Sequence, residues 1–308
     1  MDYVSIRVST LRGDQKIDFN AYIKINEKMV LYLRRGDSFE GERLLRLKEK
    51  KLRKMYILND EEAHYRNYLQ KNIETAYDDS SKTDMKTRAE IIQGSQQSNA
   101  EEVFENPENV QSYNYAKDAA GKYVSFIQSN AKALSSIMTI ENSDKNIAHH
   151  GVTVATLSIA LAQKLGITDL KKTQLLTLGA ILHDFGHQDT GLNLCQPLNA
   201  MSAADKALWL KHPSEGAARV QDKKHFDQTV INIISQHEET LDGSGPSGLR
   251  EKDLDPLAVI VSSANAIDRL ITFENVPTAE AAKKMMIEQV GKHPLQHIQM
   301  LSEILKGI

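Results

Sequence analysis

The strongest constraint on the fold is a helical spacing of apolar residues that runs from residue 112 to residue 306. Apolar residues in this region recur every three to four positions, which is typical of helices that bury one face. The spacing predicts helices over residues 112–140, 146–165, 172–186, 202–222, 227–238, 256–273, 278–290 and 294–306. Such a run of helices predicts a mainly α fold in which the helices pack as a bundle.

Residues 1–77 have a different pattern, which predicts a small α+β domain. Two β-branched and aromatic runs within residues 17–33 flank Asn26-Glu27-Lys28, which predicts a β-hairpin. After the hairpin, the sequence predicts an amphipathic helix over residues 40–54, a short strand over 56–58 and a second helix over 60–77. No concentration of catalytic residue types occurs here, so the domain is predicted to be regulatory or to bind a protein partner.

The stretch that follows, residues 78–111, is polar and poor in aromatic side chains. Such composition is typical of a boundary between domains, here with an exposed helix between short linkers. The predicted organisation is therefore a domain over residues 1–77, a linker with an exposed helix over 78–111, and a helical domain over 112–308.

Composition and charge argue against several classes of function. The net charge is −3, so no bulk electrostatic attraction to nucleic acid is expected. No apolar run is long enough for a transmembrane segment, and the charged N-terminus does not resemble a secretory signal. The lone cysteine, Cys195, cannot form an internal disulfide and is predicted to be an ordinary loop residue. Together these features predict a cytoplasmic protein.

Four of the predicted helices each contain a potential metal ligand. The residues are His150, His183, His212 and His237, and their separations are 33, 29 and 25 residues. Each separation accommodates about one helix and a connection, so consecutive histidines can point inward from neighbouring helices of one bundle. Any one of these histidines alone is more often a hydrogen-bonded structural residue, but the ordered set favours a metal site.

The pair His183-Asp184 gives the strongest physical argument for a metal. It follows the apolar run LLTLGAIL, so it lies at the inner end of a buried helix. A carboxylate buried there is costly unless it is paired or bound to a metal. Imidazole nitrogen and carboxylate oxygen together suit borderline metals such as iron, manganese and zinc. Because a carboxylate has two oxygens, Asp184 could bridge two ions.

The order His, His-Asp, His, His resembles the HD superfamily of metal-dependent phosphohydrolases. The segments LGAILHDFGH, LKHPSEGA and IISQHEETLDGSGPSGL resemble its HD-GYP family in particular, and the resemblance covers residues 140–290. It implies a helical HD domain. Typical members hydrolyse the bacterial second messenger cyclic di-GMP, so it also implies a phosphodiesterase for a cyclic dinucleotide or another phosphoester.

The resemblance further implies a centre of two divalent transition-metal ions, with iron favoured and manganese and zinc as alternatives. The implied ligands are His150, His183 and Asn265 for one ion, and His212 and His237 for the other. Asp184 would bridge the ions and is the predicted catalytic carboxylate. Some members support a third ion with a glutamate at a position where this chain has Asn146.

The chain departs from the family pattern at several site positions. Glu238 stands where the family has a second histidine, and it is either a replacement metal ligand or a surface carboxylate. The tyrosine of the GYP motif is missing, because Gly245 directly precedes Pro246. His187 replaces a lysine, and it is either a catalytic proton donor to a leaving oxygen or a further metal ligand.

The segment that binds substrate phosphate in the family departs most. Its basic stretch aligns with residues 273–277, where Glu274 stands in place of an arginine. A carboxylate repels a phosphate, so weak or altered activity on cyclic di-GMP is predicted. The alternative is a catalytically inactive signalling or protein-interaction module that keeps the metal site. A purely structural bundle is the third interpretation, and the His-Asp pair argues against it.

Overall fold

The computed structural model describes residues 2–142, 146–188, 190–194 and 196–308, so the predicted loop role of Cys195 lies outside the described residues. The chain forms two compact units, of which the first ends at Ser98 and the second begins at Asn99. The first contains a small sheet and the second is helical. This architecture confirms the prediction of a mainly α fold preceded by a small α+β domain. The predicted division into a domain over residues 1–77, a linker over 78–111 and a domain over 112–308 stays a prediction.

The described part of the N-terminal unit contains an antiparallel sheet of four strands in the order β1-β4-β2-β3. The strands are β1 (Tyr3–Arg7), β2 (Ala21–Ile25), β3 (Lys28–Leu33) and β4 (Lys54–Leu58). Asn26 and Glu27 form the turn between β2 and β3 with positive φ angles of 46° and 62°, as tight hairpins require. Helices α1 (Arg43–Glu49) and α2 (Glu62–Tyr77) complete the predicted elements, and residues such as Phe19 and Phe39 form the core.

Helix α3 (Met85–Glu105) lies within the segment for which an exposed helix was predicted. That part of the prediction was wrong, because most of this helix is buried and residues such as Ile92, Ala100 and Phe104 are at most 1% exposed. Its few apolar residues recur at helical spacing among many glutamines and glutamates. The low average hydropathy of the segment therefore concealed a buried face.

The helical unit continues with α4 (Val110–Ser129), α5 (Ala133–Met138), α6 (Ile147–Lys164), α7 (Leu170–Leu182), α8 (Ala203–Ala218), α9 (Gln228–Gln236), α10 (Pro256–Thr272), α11 (Thr278–Glu288) and α12 (Leu295–Lys306). The single helix predicted over 112–140 is instead the pair α4 and α5, interrupted at Asn130. Helices α6 and α7 pack against each other at the centre, and α4, α9 and α10 pack around them. No helix in the described ranges is long and apolar enough to cross a bilayer.

Side-chain caps determine where the site-bearing helices begin. The Asn146 side chain accepts a hydrogen bond from the backbone N–H of Ala148 at 2.8 Å, which places His150 in the first turn of α6. The Asp255 side chain accepts one from Leu257 at 2.9 Å at the start of α10. A cap of this kind satisfies a backbone N–H that has no partner within the helix. The caps therefore set the register in which both helices face the interior.

Candidate metal centre

Three helices and one turn bring the predicted ligands into a single buried cluster. His150 lies in the first turn of α6, His212 lies in α8, and His237 ends α9. His183 and Asp184 lie in a 3-10 turn, His183–His187, that follows α7 and is called the HD turn below. The four histidines are at most 1% exposed and Asp184 is 2% exposed, so the cluster is shielded from bulk water.

The HD turn packs directly on α8 because Gly186 lacks a side chain. A Cβ at Gly186 would overlap the backbone carbonyl of His212, so any larger residue would force the two segments apart. Gly151 plays the same part between α6 and α7, where a Cβ would overlap the carbonyl of Ile181. These two glycines let the backbones approach closely, which brings the ligand-bearing positions within reach of one another.

Backbone carbonyls orient three of the histidine rings. The distances from Nδ1 to the carbonyl oxygen three residues earlier are 2.7 Å for His183, 2.5 Å for His212 and 2.9 Å for His237. A carbonyl only accepts hydrogen bonds, so each Nδ1 bears the proton. In a neutral imidazole the Nε2 atom then has a free lone pair. All three rings therefore turn lone pairs toward the centre of the cluster.

The distances from Asp184 to the imidazole nitrogens fit a bound cation better than hydrogen bonds, and two of these nitrogens face each other without a proton between them. The Nε2 atoms of His212 and His237 are 2.8 Å apart, although each ring already uses its proton on a carbonyl. Asp184 Oδ1 lies 3.5, 3.4 and 3.6 Å from Nε2 of His183, His212 and His237. Hydrogen bonds are shorter, at about 2.7–3.2 Å. Ligand atoms about 2.1 Å from one ion in a tetrahedral array lie about 3.4 Å apart.

Several buried polar atoms in the cluster make no hydrogen bond within the described part of the chain. They are His183 Nε2, Asp184 Oδ2 and both ring nitrogens of His187. Buried polar atoms are rarely left without a partner, because the loss of their contact with water is costly. Nitrogen and carboxylate oxygen donors of this kind suit a divalent transition metal. The residues present therefore fit a metal ion.

The electrostatics keep His183 and His187 neutral and Asp184 charged. Burial lowers the pKa of His183 to about 3. Burial, with repulsion from His212, lowers the pKa of His187 to about 2. Burial alone would raise the pKa of Asp184, but the imidazoles packed around it, His183 foremost, hold it well below its usual range. These protonation states are the ones that metal ligands require.

His150 forms the other end of the cluster. Its Nδ1 lies 2.6 Å from Asp268 Oδ2, and its Nε2 lies 3.0 Å from Asn265 Oδ1. Burial opposes a charge on this ring, but the hydrogen bond and charge of Asp268 outweigh it and raise the pKa of His150. The amide of Asn265 donates to Glu238 Oε1 at 2.9 Å, which turns its oxygen toward His150. A metal ion bound between His150 Nε2 and Asn265 Oδ1 would replace the proton that His150 Nε2 shares with this oxygen.

The remaining predicted site residues lie beside these atoms. Glu238 Oε1 is 3.9 Å from His237 Nε2, and its side chain is only 13% exposed, so it is not a surface carboxylate. His187 stacks on His212 with ring centroids 3.8 Å apart, and its Nε2 is 4.0 Å from Asp184 Oδ1. Potential ligand atoms within 4.8 Å of one another form the groups His150/His183/Asp184, Asp184/His187/His212 and His212/His237/Glu238.

Sequence reasoning underestimated two carboxylates that support the cluster. From its position in the sequence, Asp268 is predicted to have only a structural role, but the structure places it against His150. Glu239 was not singled out, yet it is 2% exposed and accepts hydrogen bonds from the backbone of Ser247 at 2.6 Å and Leu249 at 3.1 Å. It therefore organises the loop that follows His237. The sequence signal for each was its position: Asp268 lies one helical turn after Asn265, and Glu239 lies three residues before Asp242 of the DGSG segment.

Replacing Asp268 by asparagine is expected to lower metal affinity by about 10- to 100-fold, because partners that orient a ligating histidine contribute to this extent. Asparagine keeps the size of the side chain but removes the charge that holds Nδ1–H of His150. Titration against a competing chelator measures the effect. Ser263→Ala, on the same helix but hydrogen-bonded to His297, is the control and should bind metal normally. Equal affinities for both variants would contradict the assigned role of Asp268.

Comparison with known proteins identifies the family. A model of the HD domain family matches residues 132–304, which is more than half of the chain. The solved structure of Bd1817, an HDG"Y"P protein from Bdellovibrio bacteriovorus, is 80% identical to this chain. The similarity covers 99% of this chain and 100% of Bd1817, with a TM-score of 0.95. This chain belongs to the HD-GYP family.

Two curated relatives are less similar to this HD-GYP chain than Bd1817 is. Cyclic di-GMP phosphodiesterase PA4108 from Pseudomonas aeruginosa is 26% identical over 157 residues, which is 51% of this chain and 38% of the relative. Cyclic di-GMP phosphodiesterase PdeB from Borreliella burgdorferi is 24% identical over 123 residues, which is 40% of this chain and 32% of the relative. The similarity therefore spans less than two fifths of either relative's length.

Proposed function

We propose that this HD-GYP chain is a dinuclear-metal phosphodiesterase in cyclic-dinucleotide signalling, with weak or altered activity on cyclic di-GMP. The observation that supports it most is the convergence of unprotonated nitrogens, with Nε2 of His212 and His237 2.8 Å apart, around the Asp184 carboxylate. The names of the two curated relatives, both cyclic di-GMP phosphodiesterases, support the reaction class.

The proposal assigns the potential ligands to two ions bridged by Asp184. One set is His150, His183 and Asn265, and the other is His212, His237 and Glu238. Two bound ions would generate a nucleophile from water and neutralise charge on the phosphoryl oxygens. Iron is favoured, with manganese and zinc as alternatives, because nitrogen and oxygen donors of this kind suit all three.

His187 fits the role of a ligand better than that of a proton donor in this proposal. Its ring is 5% exposed, stacks on His212 and makes no hydrogen bond within the described residues. A proton donor to a leaving oxygen needs to reach the substrate, whereas a buried ring beside Asp184 can contact only the cluster. We therefore propose that His187 is a metal ligand together with Asp184 and His212.

The departure at the phosphate-binding segment supports an altered substrate preference. Glu274 lines a cavity of about 320 Å³ that His237, Glu238 and Asn265 also line. Lys284 Nζ lies 3.1 Å from Glu274 Oε2 and offsets part of the negative charge. A carboxylate still occupies the cavity wall where the family pattern has an arginine. This charge opposes the binding of a diphosphate ligand.

The test of the function is a hydrolysis assay on metal-loaded protein with cyclic di-GMP and a panel of other cyclic and linear phosphoesters. Slow turnover of cyclic di-GMP is expected, and Glu274→Gln should tighten its binding about fivefold, since about 1 kcal/mol of repulsion is removed. Glu280→Gln, an exposed carboxylate that does not line the cavity, is the matched control. Unchanged affinity in Glu274→Gln would contradict the electrostatic explanation.

The alternative function is a signalling or protein-interaction module that keeps the metal site without turnover. The missing tyrosine and Glu274 favour it for cyclic di-GMP. Two bound ions with no hydrolysis of any phosphoester in the panel would select this alternative. A protein partner of the N-terminal unit and a cytoplasmic location remain parts of the proposal.

A further inference from the structure

Arg269 is a buried cation that the proposed metal centre does not use. It lies on α10, four residues after Asn265, and is 7% exposed. Its guanidinium carbon is 5.3 Å from the centre of the Trp209 ring and 5.7 Å from that of Phe273. Within the described residues, its guanidinium forms no ion pair or side-chain hydrogen bond.

A buried guanidinium without an anionic partner is unusual. Arginine stays charged at any physiological pH, and a charge that is removed from water is costly unless a counter-charge or hydrogen bonds replace the water. Contact with aromatic faces recovers part of that cost. It does not satisfy the five N–H donors of the fork, which remain available to a ligand.

Arg269 lines the same cavity as the candidate ligands His237, Glu238 and Asn265. The acidic residues of that cavity already have partners. Glu238 accepts a hydrogen bond from Asn265, and Lys284 lies 3.1 Å from Glu274 and 3.9 Å from Glu288. Two cations of the wall, Arg269 and Lys292, pair with no anion among the described residues, and Arg269 is the buried one of the two.

We propose that Arg269 binds a phosphoryl oxygen of the substrate, in place of the arginine that the family pattern has at position 274. This inference rests on the proposed function, because it places a phosphoester in the cavity beside the metal ligands. A planar guanidinium matches two phosphoryl oxygens with two parallel hydrogen bonds. Its position on α10 places it one helical turn from the candidate ligand Asn265.

Titration calorimetry on the metal-loaded full chain tests the proposal, with inorganic phosphate and cyclic di-GMP as separate probes. Arg269→Met keeps the length and apolar contacts of the side chain but removes the charge. It should weaken the binding of both probes about 10- to 100-fold. Arg269→Lys should bind with intermediate affinity, because lysine keeps the charge but loses the fork.

Arg219→Met is the matched control, since Arg219 also stacks on an aromatic ring, 4.9 Å from the centre of Phe185, but does not line the cavity. It should bind phosphate as the unmodified chain does. Elemental analysis should find the same metal content in the Arg269 variants. Their Tm without phosphate should not fall, because no buried ion pair is lost.

Unchanged phosphate and cyclic di-GMP affinities in Arg269→Met would overturn the proposal, as would an unmodified chain that binds neither probe. These results are separate from a failure of the proposed function. A metal-loaded chain without turnover would contradict that function, yet the difference in affinity between the unmodified chain and the Arg269 variants would still be measurable, because calorimetry requires no hydrolysis.

Discussion

Replacing Asp184 by asparagine is expected to abolish the proposed hydrolysis and to lower the metal content from the proposed two ions per chain to one or none. Asp184 Oδ1 lies 3.4–3.6 Å from three imidazole nitrogens, so it is the negative charge at the centre of the cluster. An amide has a similar shape but no charge, and it cannot bridge two cations as a carboxylate does. Turnover should fall roughly 1,000-fold or more, equivalent to about 4 kcal/mol.

Elemental analysis and a hydrolysis assay on the best substrate of the panel measure these effects. Asp227→Asn is the matched control, because Asp227 pairs with Lys117 at 2.7 Å and takes no part in the cluster. That variant should keep its metal while losing some stability. Two tightly bound ions and normal turnover in Asp184→Asn would show that the cluster is not organised around this carboxylate.

Replacing Gly186 by alanine is expected to destabilise the chain and to weaken metal binding together. The added Cβ would overlap the carbonyl of His212, which is backbone and cannot rotate away. Overpacking of this kind costs about 1–3 kcal/mol, and the Tm should fall on the order of 5 °C. Because the HD turn would move away from α8, His183 and Asp184 would lose their spacing to His212.

Gly121→Ala is the control, and its expected effect on stability has the opposite sign. Gly121 lies within α4, and a Cβ there would meet only the flexible side chain of Gln174 at 3.0 Å. Alanine favours a helix over glycine by about 1 kcal/mol, so this variant should be neutral or more stable. Thermal unfolding and chelator competition distinguish the two. A Gly186→Ala variant with unchanged Tm and metal affinity would contradict the close packing assigned to the HD turn.

The sequence by itself determined most of the helices, the hairpin turn at Asn26 and Glu27, and the set of residues in the cluster. These features depend on local patterns, such as helical periodicity and the order His, His-Asp, His, His. The same local reasoning failed for α3, whose buried face contains few apolar residues among polar ones. Average polarity over a segment does not reveal which face of a helix is covered.

Only the tertiary structure decided how the cluster is oriented. Backbone carbonyls direct the lone pairs of His183, His212 and His237 inward, and Asp268 holds His150 from a helix 118 residues away in sequence. It also decided that Arg269 lies in the cavity wall without an ion-pair partner among the described residues. The physical reason is that hydrogen-bond direction and charge pairing depend on groups distant in sequence, which come together only when the helices pack.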